Sequence, residues 1–164
     1  MEELLSALAE LKDKGLIITM PNSDTDSRTF IKGINDFCAR NPNAKAFTSL
    51  GQLKYLSCIK QVDGVLGNSS SGLTEVPTFK KGTINIGDRQ LGRIQAKSVI
   101  NCSPNKTSIK DALNLMYSQE FQKLLQEVEN PYGNGGASKA IVEIIEQQPL
   151  IDLLKKQFYD WPNI

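Results

Sequence analysis

Gly64-Val65-Leu66-Gly67-Asn68-Ser69-Ser70-Ser71-Gly72-Leu73-Thr74-Glu75 decides the fold. The run Gly64 to Gly67 is short, apolar and β-compatible. It breaks into a polar, glycine-flanked loop, and apolar residues then return at helical spacing over about 71–80. Strand, loop and helix in this order form the repeating unit of a parallel sheet.

The same unit recurs on both sides. Leu4, Leu5, Leu8 and Leu11 predict a helix that Gly15 stops, and Leu16 to Met20 predicts a buried strand before Pro21. Asp26 or Ser27 can cap a helix bearing Phe30, Ile31, Ile34 and Phe37 on one side. Asn41-Pro42-Asn43 is a turn, Ala44 to Thr48 a strand, and Leu50 to Ile59 a helix. Downstream, Thr83 to Ile86 and Ser98 to Cys102 predict strands. Thr107 or Ser108 is expected to cap a helix, Ser118 to start another, and two more close the chain over about 137–147 and 149–158. Short apolar strands separated by helices predict an α/β, Rossmann-like, doubly wound parallel sheet covered on both faces. With no internal repeat or linker, residues 1–164 read as a single domain. Doubly wound domains usually start with a strand and this sequence starts with a helix, which an absent first strand would explain.

Composition removes whole classes of function. The chain has 164 residues and no histidine. A Ser-His-Asp or Cys-His unit cannot be completed within it, nor can a histidine-ligated metal site. Lys+Arg is 19 against Asp+Glu 18, which argues against a generally basic nucleic-acid binder. Cys38, Cys58 and Cys102 are odd in number and far apart, so they predict reduced thiols in a cytoplasmic protein rather than disulfides or a metal centre. No apolar run approaches the ~18 residues of a membrane span. No cofactor is expected.

Open parallel sheets bind ligands at the carboxyl ends of their strands, so the loops there are the candidates. Hydroxyls and glycines at 67–72 suit a phosphate, which helix-start N–H groups and the helix dipole would favour; an ordinary serine cap with a glycine turn explains them equally well. Gly67 and Gly72 have P-loop spacing, but Leu73 stands where the lysine belongs. A nucleophile elbow at Ser69 would need glycine at 71, where Ser71 stands. The serines therefore read as ligands rather than nucleophiles. Glu75 could accept both hydroxyls of a ribose, or merely favour the helix dipole. Arg89, with Arg93 four residues on, could neutralise a diphosphate or be solvated. Asn22, Asp24 and Asp26 could touch a sugar or serve a turn.

Three blocks resemble one family. They are Gly67-Asn68-Ser69-Ser70-Ser71-Gly72-Leu73-Thr74-Glu75-Val76, then Ile84-Asn85-Ile86-Gly87-Asp88-Arg89-Gln90-Leu91-Gly92-Arg93, then Asn130-Pro131-Tyr132-Gly133 with Ala137-Ser138-Lys139. In order and spacing they are similar to the hydrolysing UDP-N-acetylglucosamine 2-epimerases, closest to the branch feeding sialic and related nonulosonic acids. Met20-Pro21-Asn22 with Asp24 and Asp26 looks like the same branch, and the likeness covers nearly the whole chain.

The resemblance implies the C-terminal half of a B-type glycosyltransferase fold, holding most contacts to UDP. It implies that Ser69, Ser70, Ser71 and Gly72 bind the diphosphate together with Arg89, that Glu75 holds the uridine ribose, that Leu50 and Tyr55 lie by the uracil, and that Asn22 lies near the sugar or diphosphate. Ser71 departs from the cysteine or glycine often found there. The ligand implied is UDP or a UDP-N-acetylhexosamine, and UDP-N,N′-diacetylbacillosamine is a further option. The family reaction removes the C2 proton, eliminates UDP and adds water to give N-acetylmannosamine. Its acid and base groups are N-terminal-domain carboxylates and a histidine just upstream of the helix that opens this chain. The chain is accordingly expected to be a fragment, inactive alone, whose partner is an absent N-terminal domain in a parent that can form a homodimer. The competing expectations are the nucleotide-sugar half of a B-type glycosyltransferase and a non-catalytic UDP-binding module.

Overall fold

A computed structural model describes residues 1–21, 27–149 and 151. Asn22, Asp24, Asp26 and the helix expected over 149–158 fall outside them, apart from residues 149 and 151. The chain divides into two compact units, Met1–Tyr132 and Gly133–Ile164.

The first unit alternates helix and strand. Its elements are α1 (Glu2–Leu8), β1 (Leu16–Thr19), α2 (Ser27–Arg40), β2 (Ala44–Phe47), α3 (Gly51–Gln61), β3 (Gly64–Gly67), α4 (Ser71–Thr74), a 3-10 turn (Val76–Phe79), β4 (Gly82–Ile86), β5 (Val99–Cys102), α5 (Lys106–Met116) and α6 (Gln119–Glu127). Every strand pairing is parallel, as an α/β fold requires. Among the described residues the strands form two groups, β1-β2 and β3-β4-β5, rather than one continuous sheet. The second unit contains α7 (Ala137–Gln147).

Burial follows pairing. β4 has a neighbour on each side, and Gly82 to Asn85 are all buried. β1 and β3 each have one neighbour and stay partly exposed. Ile84 anchors a core with Ala7 of α1, Ile109, Leu113 and Met116 of α5, and Phe121 and Leu125 of α6. Full burial of each large apolar chain is worth about 1.5–3 kcal/mol. Glycine is needed where β4 meets α6, because a Cβ on Gly82 would stand 2.9 Å from Phe121 Cε1.

Three local departures have physical causes. α1 ends at Leu8 instead of reaching Gly15; Asn43 Nδ2 then holds the Leu11 and Lys14 carbonyls at 2.8 and 2.7 Å, steering the chain into β1. The helix expected over 71–80 divides at Glu75, because Pro77 cannot donate to an α-helical ladder and starts a 3-10 turn. α5 is capped by Asn105, whose side chain accepts from Ser108 N at 2.9 Å, rather than by Thr107 or Ser108. Ser118 caps α6 as expected, accepting from Phe121 N.

Candidate functional site

Gly67 and Ile86 end adjacent parallel strands, so the loops at 68–70 and 87–90 leave the same edge of the sheet. Gly67 turns the chain at φ +150°, a conformation that side-chain-bearing residues rarely adopt. Asn68 and Ser69 are exposed, and Ser70 is half-buried at the start of α4. The Ser70 side chain makes no cap hydrogen bond. The Ser69 hydroxyl accepts from Ser71 N at 3.4 Å, while its carbonyl accepts from Gly72 N at 3.2 Å. α4 has only four residues, so few peptide dipoles add up. Loop hydroxyls, N–H groups and arginine must therefore provide most of any attraction for an anion.

α4 lies unusually close to β4. A Cβ on Gly72 would stand 2.6 Å from Thr83 Cγ2. Thr83 Oγ1 donates to the Gly72 carbonyl at 2.8 Å, and Leu73 and Val76 are fully buried on either side of Glu75. At the far end, Asn130 Nδ2 donates to the Thr74 carbonyl at 2.8 Å and to Thr78 Oγ1 at 2.7 Å. The loop and its short helix are thus fixed from both sides.

The polar centre is a three-residue chain. Ser71 Oγ donates to Glu75 Oε2 in a short hydrogen bond. Tyr55 OH lies 2.6 Å from the same hydroxyl oxygen. The serine proton is committed to the carboxylate, so the tyrosine is the donor to Ser71. All three side chains are half-buried. Ser71 therefore orients Glu75, and its hydroxyl proton is engaged by that carboxylate. A carboxylate is too weak a base to activate a serine, so this is a binding arrangement rather than a nucleophilic one.

Arg89 and Gln90 converge on the first loop. Arg89 Nη1 donates to the Asn68 carbonyl at 3.2 Å, and Gln90 Nε2 donates to the same oxygen at 2.7 Å. Gln90 is 3% exposed, whereas Arg89 and Arg93 are exposed cations. Leu50 precedes α3 and lines an apolar cleft with Ile17, Leu53 and Cys58.

The structure thus gathers Tyr55, Ser69, Ser70, Ser71, Gly72, Glu75 and Arg89 around one strand-end loop. Gln90, Thr83 and Asn130 were not anticipated as supports. Gln90 and Asn130 lie within distinctive blocks of sequence, but nothing in those blocks shows which carbonyl each one reaches.

At the ends of β4 and β5, a cavity of about 490 Å³ is lined by Gly87, Asp88, Asn101, Cys102, Ser103, Pro104 and Ser108. Burial pushes the Cys102 thiol above its ordinary value, which disfavours the reactive thiolate. Among the described residues, no group of three or more acidic, cysteine or histidine side chains is placed to hold a metal. No described helix is long and apolar enough to cross a membrane.

Residues 1–146 match the family model described as UDP-N-acetylglucosamine 2-epimerase. The chain is 37% identical to polysialic acid biosynthesis protein P7 of Escherichia coli, over 99% of this chain and 42% of that protein. It is also 37% identical to the hydrolysing GDP/UDP-N,N′-diacetylbacillosamine 2-epimerase of Campylobacter jejuni, over 98% of this chain and 42% of that one. The chain therefore spans well under half the length of these relatives. Among solved structures, the UDP-GlcNAc 2-epimerase of Neisseria meningitidis bound to UDP-GlcNAc superposes with TM-score 0.69 at 21% identity, over 90% of this chain and 41% of that one. Another UDP-N-acetylglucosamine 2-epimerase superposes with TM-score 0.70 at 18% identity, over 88% and 40%. These structural likenesses establish the α/β fold.

Proposed function

Because the chain belongs to the UDP-N-acetylglucosamine 2-epimerase family, we propose that it is the UDP-binding part of a hydrolysing UDP-N-acetylhexosamine 2-epimerase. The observation that carries this reading is the Tyr55–Ser71–Glu75 hydrogen-bond chain beside the loop pinned by Arg89 and Gln90. It sets an oriented carboxylate next to an anion-compatible loop, as a nucleoside diphosphate requires.

The ligand's chemistry distributes over these residues. Glu75 accepts the two ribose hydroxyls, and a charged acceptor makes such bonds stronger than neutral ones. Ser71 and Tyr55 hold that carboxylate in place, and Tyr55 borders the uracil. Ser69, Ser70 and the backbone at Gly72 face the diphosphate. Arg89 swings from the Asn68 carbonyl onto the phosphates when ligand arrives, while Gln90 keeps the carbonyl. Asn22 is assigned to the sugar or diphosphate by the family resemblance alone.

In the reaction, a base removes the proton on sugar C2, the C1–O bond breaks and UDP leaves with the electron pair. That leaves a C1=C2 double bond, across which water adds, its oxygen to C1 and a proton to the opposite face of C2, to release the free 2-epimerised N-acetylhexosamine. This chain's contribution is to bind the departing diphosphate and stabilise its growing negative charge. It has no histidine to serve as that base. We accordingly assign that chemistry to polypeptide outside these residues and expect the chain to be inactive alone.

Calorimetric titration with UDP tests the reading. Binding is expected, with a gain of about 2.7 kcal/mol in stability at 100 times Kd. A folded sample that shows neither heat nor a thermal shift with millimolar UDP would overturn it.

A further inference from the structure

We propose, resting on the UDP-binding reading above, that Asn130 and Tyr132 are positioning residues for the nucleotide. Asn130 staples the chain across the helix break at Glu75 and so sets the ribose-binding carboxylate. Tyr132 tethers the far part of the loop that carries Arg89 and Arg93. Neither residue needs to touch the ligand. Both act over long sequence separations, 56 positions from Asn130 to Thr74 and 38 from Tyr132 to Ile94.

Glu75 stands where two short elements meet. α4 (Ser71–Thr74) and the 3-10 turn (Val76–Phe79) have four residues each, too few to be stable on their own. Glu75 flanks the end of one and the start of the other, so the direction of its side chain depends on the angle between them. Asn130 Nδ2 bridges this break: it donates to the Thr74 carbonyl at 2.8 Å and to Thr78 Oγ1 at 2.7 Å. Asn130 Oδ1 accepts from Tyr132 N at 3.0 Å, which closes a turn around Pro131 and fixes the amide. Just upstream, the Lys80 ammonium donates to the Val128 carbonyl from a residue whose backbone is left-handed at φ 56°, uncommon outside glycine. Residues 128–130 are therefore clipped to the stretch 74–80 at both of its ends.

Tyr132 reaches the other half of the site. Its hydroxyl donates to the Ile94 carbonyl at 3.0 Å. The start of that loop is held by Gly87 N on the Cys102 carbonyl at 2.9 Å, and its middle by Gln90 on the Asn68 carbonyl. Beyond Gln90, the side chains of Leu91, Arg93 and Ile94 are exposed, so packing does not hold them. Turn bonds from Leu91 N to the Asp88 carbonyl and from Arg93 N to the Gln90 carbonyl pass the position of Ile94 back towards Arg89. One turn at Asn130-Pro131-Tyr132 thus keeps the carboxylate for the ribose and the cationic loop for the phosphates in a fixed relation.

The test separates the parts of the ligand. UDP and 2′,3′-dideoxyuridine diphosphate are titrated into the full chain by calorimetry, and uridine by amide chemical shifts. Asn130→Ala should lower UDP affinity about tenfold, as the loss of two hydrogen bonds implies, and leave the dideoxy ligand within about twofold. Thr78→Val keeps the shape of an exposed residue, removes one acceptor from Asn130 and should give the same pattern at about threefold. That variant carries the test if Asn130→Ala does not fold. In a Glu75→Gln background neither substitution should weaken UDP further, because both act through the carboxylate. Tyr132→Phe should lower both diphosphates equally, by about threefold, and spare uridine. Equal losses for UDP and the dideoxy ligand in Asn130→Ala or Thr78→Val, losses that add to Glu75→Gln, or unchanged UDP affinity would overturn the staple. A Tyr132→Phe loss shared by uridine would overturn the tether. A parent chain that binds no UDP sinks the functional reading and this inference with it, whereas the other outcomes, in a parent that binds UDP, sink this inference alone.

Discussion

The side-chain amide of Gln90 donates to the backbone carbonyl of Asn68 at 2.7 Å, joining the loop after β4 to the loop after β3 across 22 positions of sequence. Gln90 is buried to 3% exposure, and its Oε1 has no partner among the described residues. Such a residue sets where the Asn68–Ser70 backbone stands without needing to touch a ligand itself. Replacement by Leu preserves bulk and removes the donor. Gln90→Leu is expected to weaken UDP binding about 5- to 15-fold, equivalent to the 1–1.5 kcal/mol of one positioning hydrogen bond. Removal of the unpartnered oxygen should leave the urea midpoint nearly unchanged. Unaltered affinity in calorimetry would show that the Gln90 hydrogen bond to Asn68 does not position the loop for UDP.

Glu75 should be readable through the sugar hydroxyls of the ligand. Glu75→Gln keeps the shape and loses the charge, so UDP affinity should fall about 10- to 100-fold, the range for a charge-assisted hydrogen bond. 2′,3′-Dideoxyuridine diphosphate, which lacks both hydroxyls, should bind the parent chain weakly and be indifferent to the substitution. Tyr55→Phe and Ser71→Ala should show the same pattern more mildly, because each acts through the orientation of the carboxylate. If the dideoxy ligand loses as much affinity as UDP in Glu75→Gln, Glu75 does not recognise the ribose.

Much of this was legible in the residue pattern, but unevenly. Alternation of apolar runs with helical spacing identified β1 to β5, because strands such as Leu16–Thr19 and Gly82–Ile86 are short, apolar and bounded by glycine or proline. The hydroxyl loop at 69–71 and the acidic residue at 75 were visible as candidates. What the string could not show is who holds whom. Nothing in the string shows that Tyr55, 16 residues from Ser71, is hydrogen-bonded to it. Arg89 reads as a free cation until its contact with the Asn68 carbonyl is seen. That the described strands fall into two groups, β1-β2 and β3-β4-β5, was equally hidden, since pairing is a property of edges in space. Local pattern names the elements, whereas hydrogen bonds across long sequence separations assign their work.

Gly72 is expected to be indispensable for packing rather than flexibility. A methyl at this position would collide with Thr83 Cγ2 at 2.6 Å and push α4 off β4. Gly72→Ala should therefore cost about 1–3 kcal/mol, the usual range for overpacking. Thr83→Ser removes the opposing methyl while keeping the hydroxyl that donates to the Gly72 carbonyl. The double variant should recover a large part of the loss in urea denaturation. Additive losses would place the strain elsewhere.

Glu10 gives the chain a pH dependence of known sign. It bridges Lys106 and Lys110 of α5 at 2.7 and 2.6 Å, fastening the segment after α1 to that helix. Hydrogen bonds to Lys106 and then to Lys110 hold its carboxyl at about 2, against an ordinary 4.5. The folded state thus prefers the charged form more strongly than the unfolded state does. That contribution is fully present above pH 4.5 and is lost as pH falls from there through about 2. The group is solvent-accessible, so added salt should shrink the effect. Thermal midpoints measured from pH 7 down to pH 2 should fall more steeply for the parent chain than for Glu10→Gln, with the two curves converging at the acid end. The difference at pH 7 should diminish in 1 M sodium chloride. Parallel curves across the whole window would mean that the bridge makes no net contribution in solution.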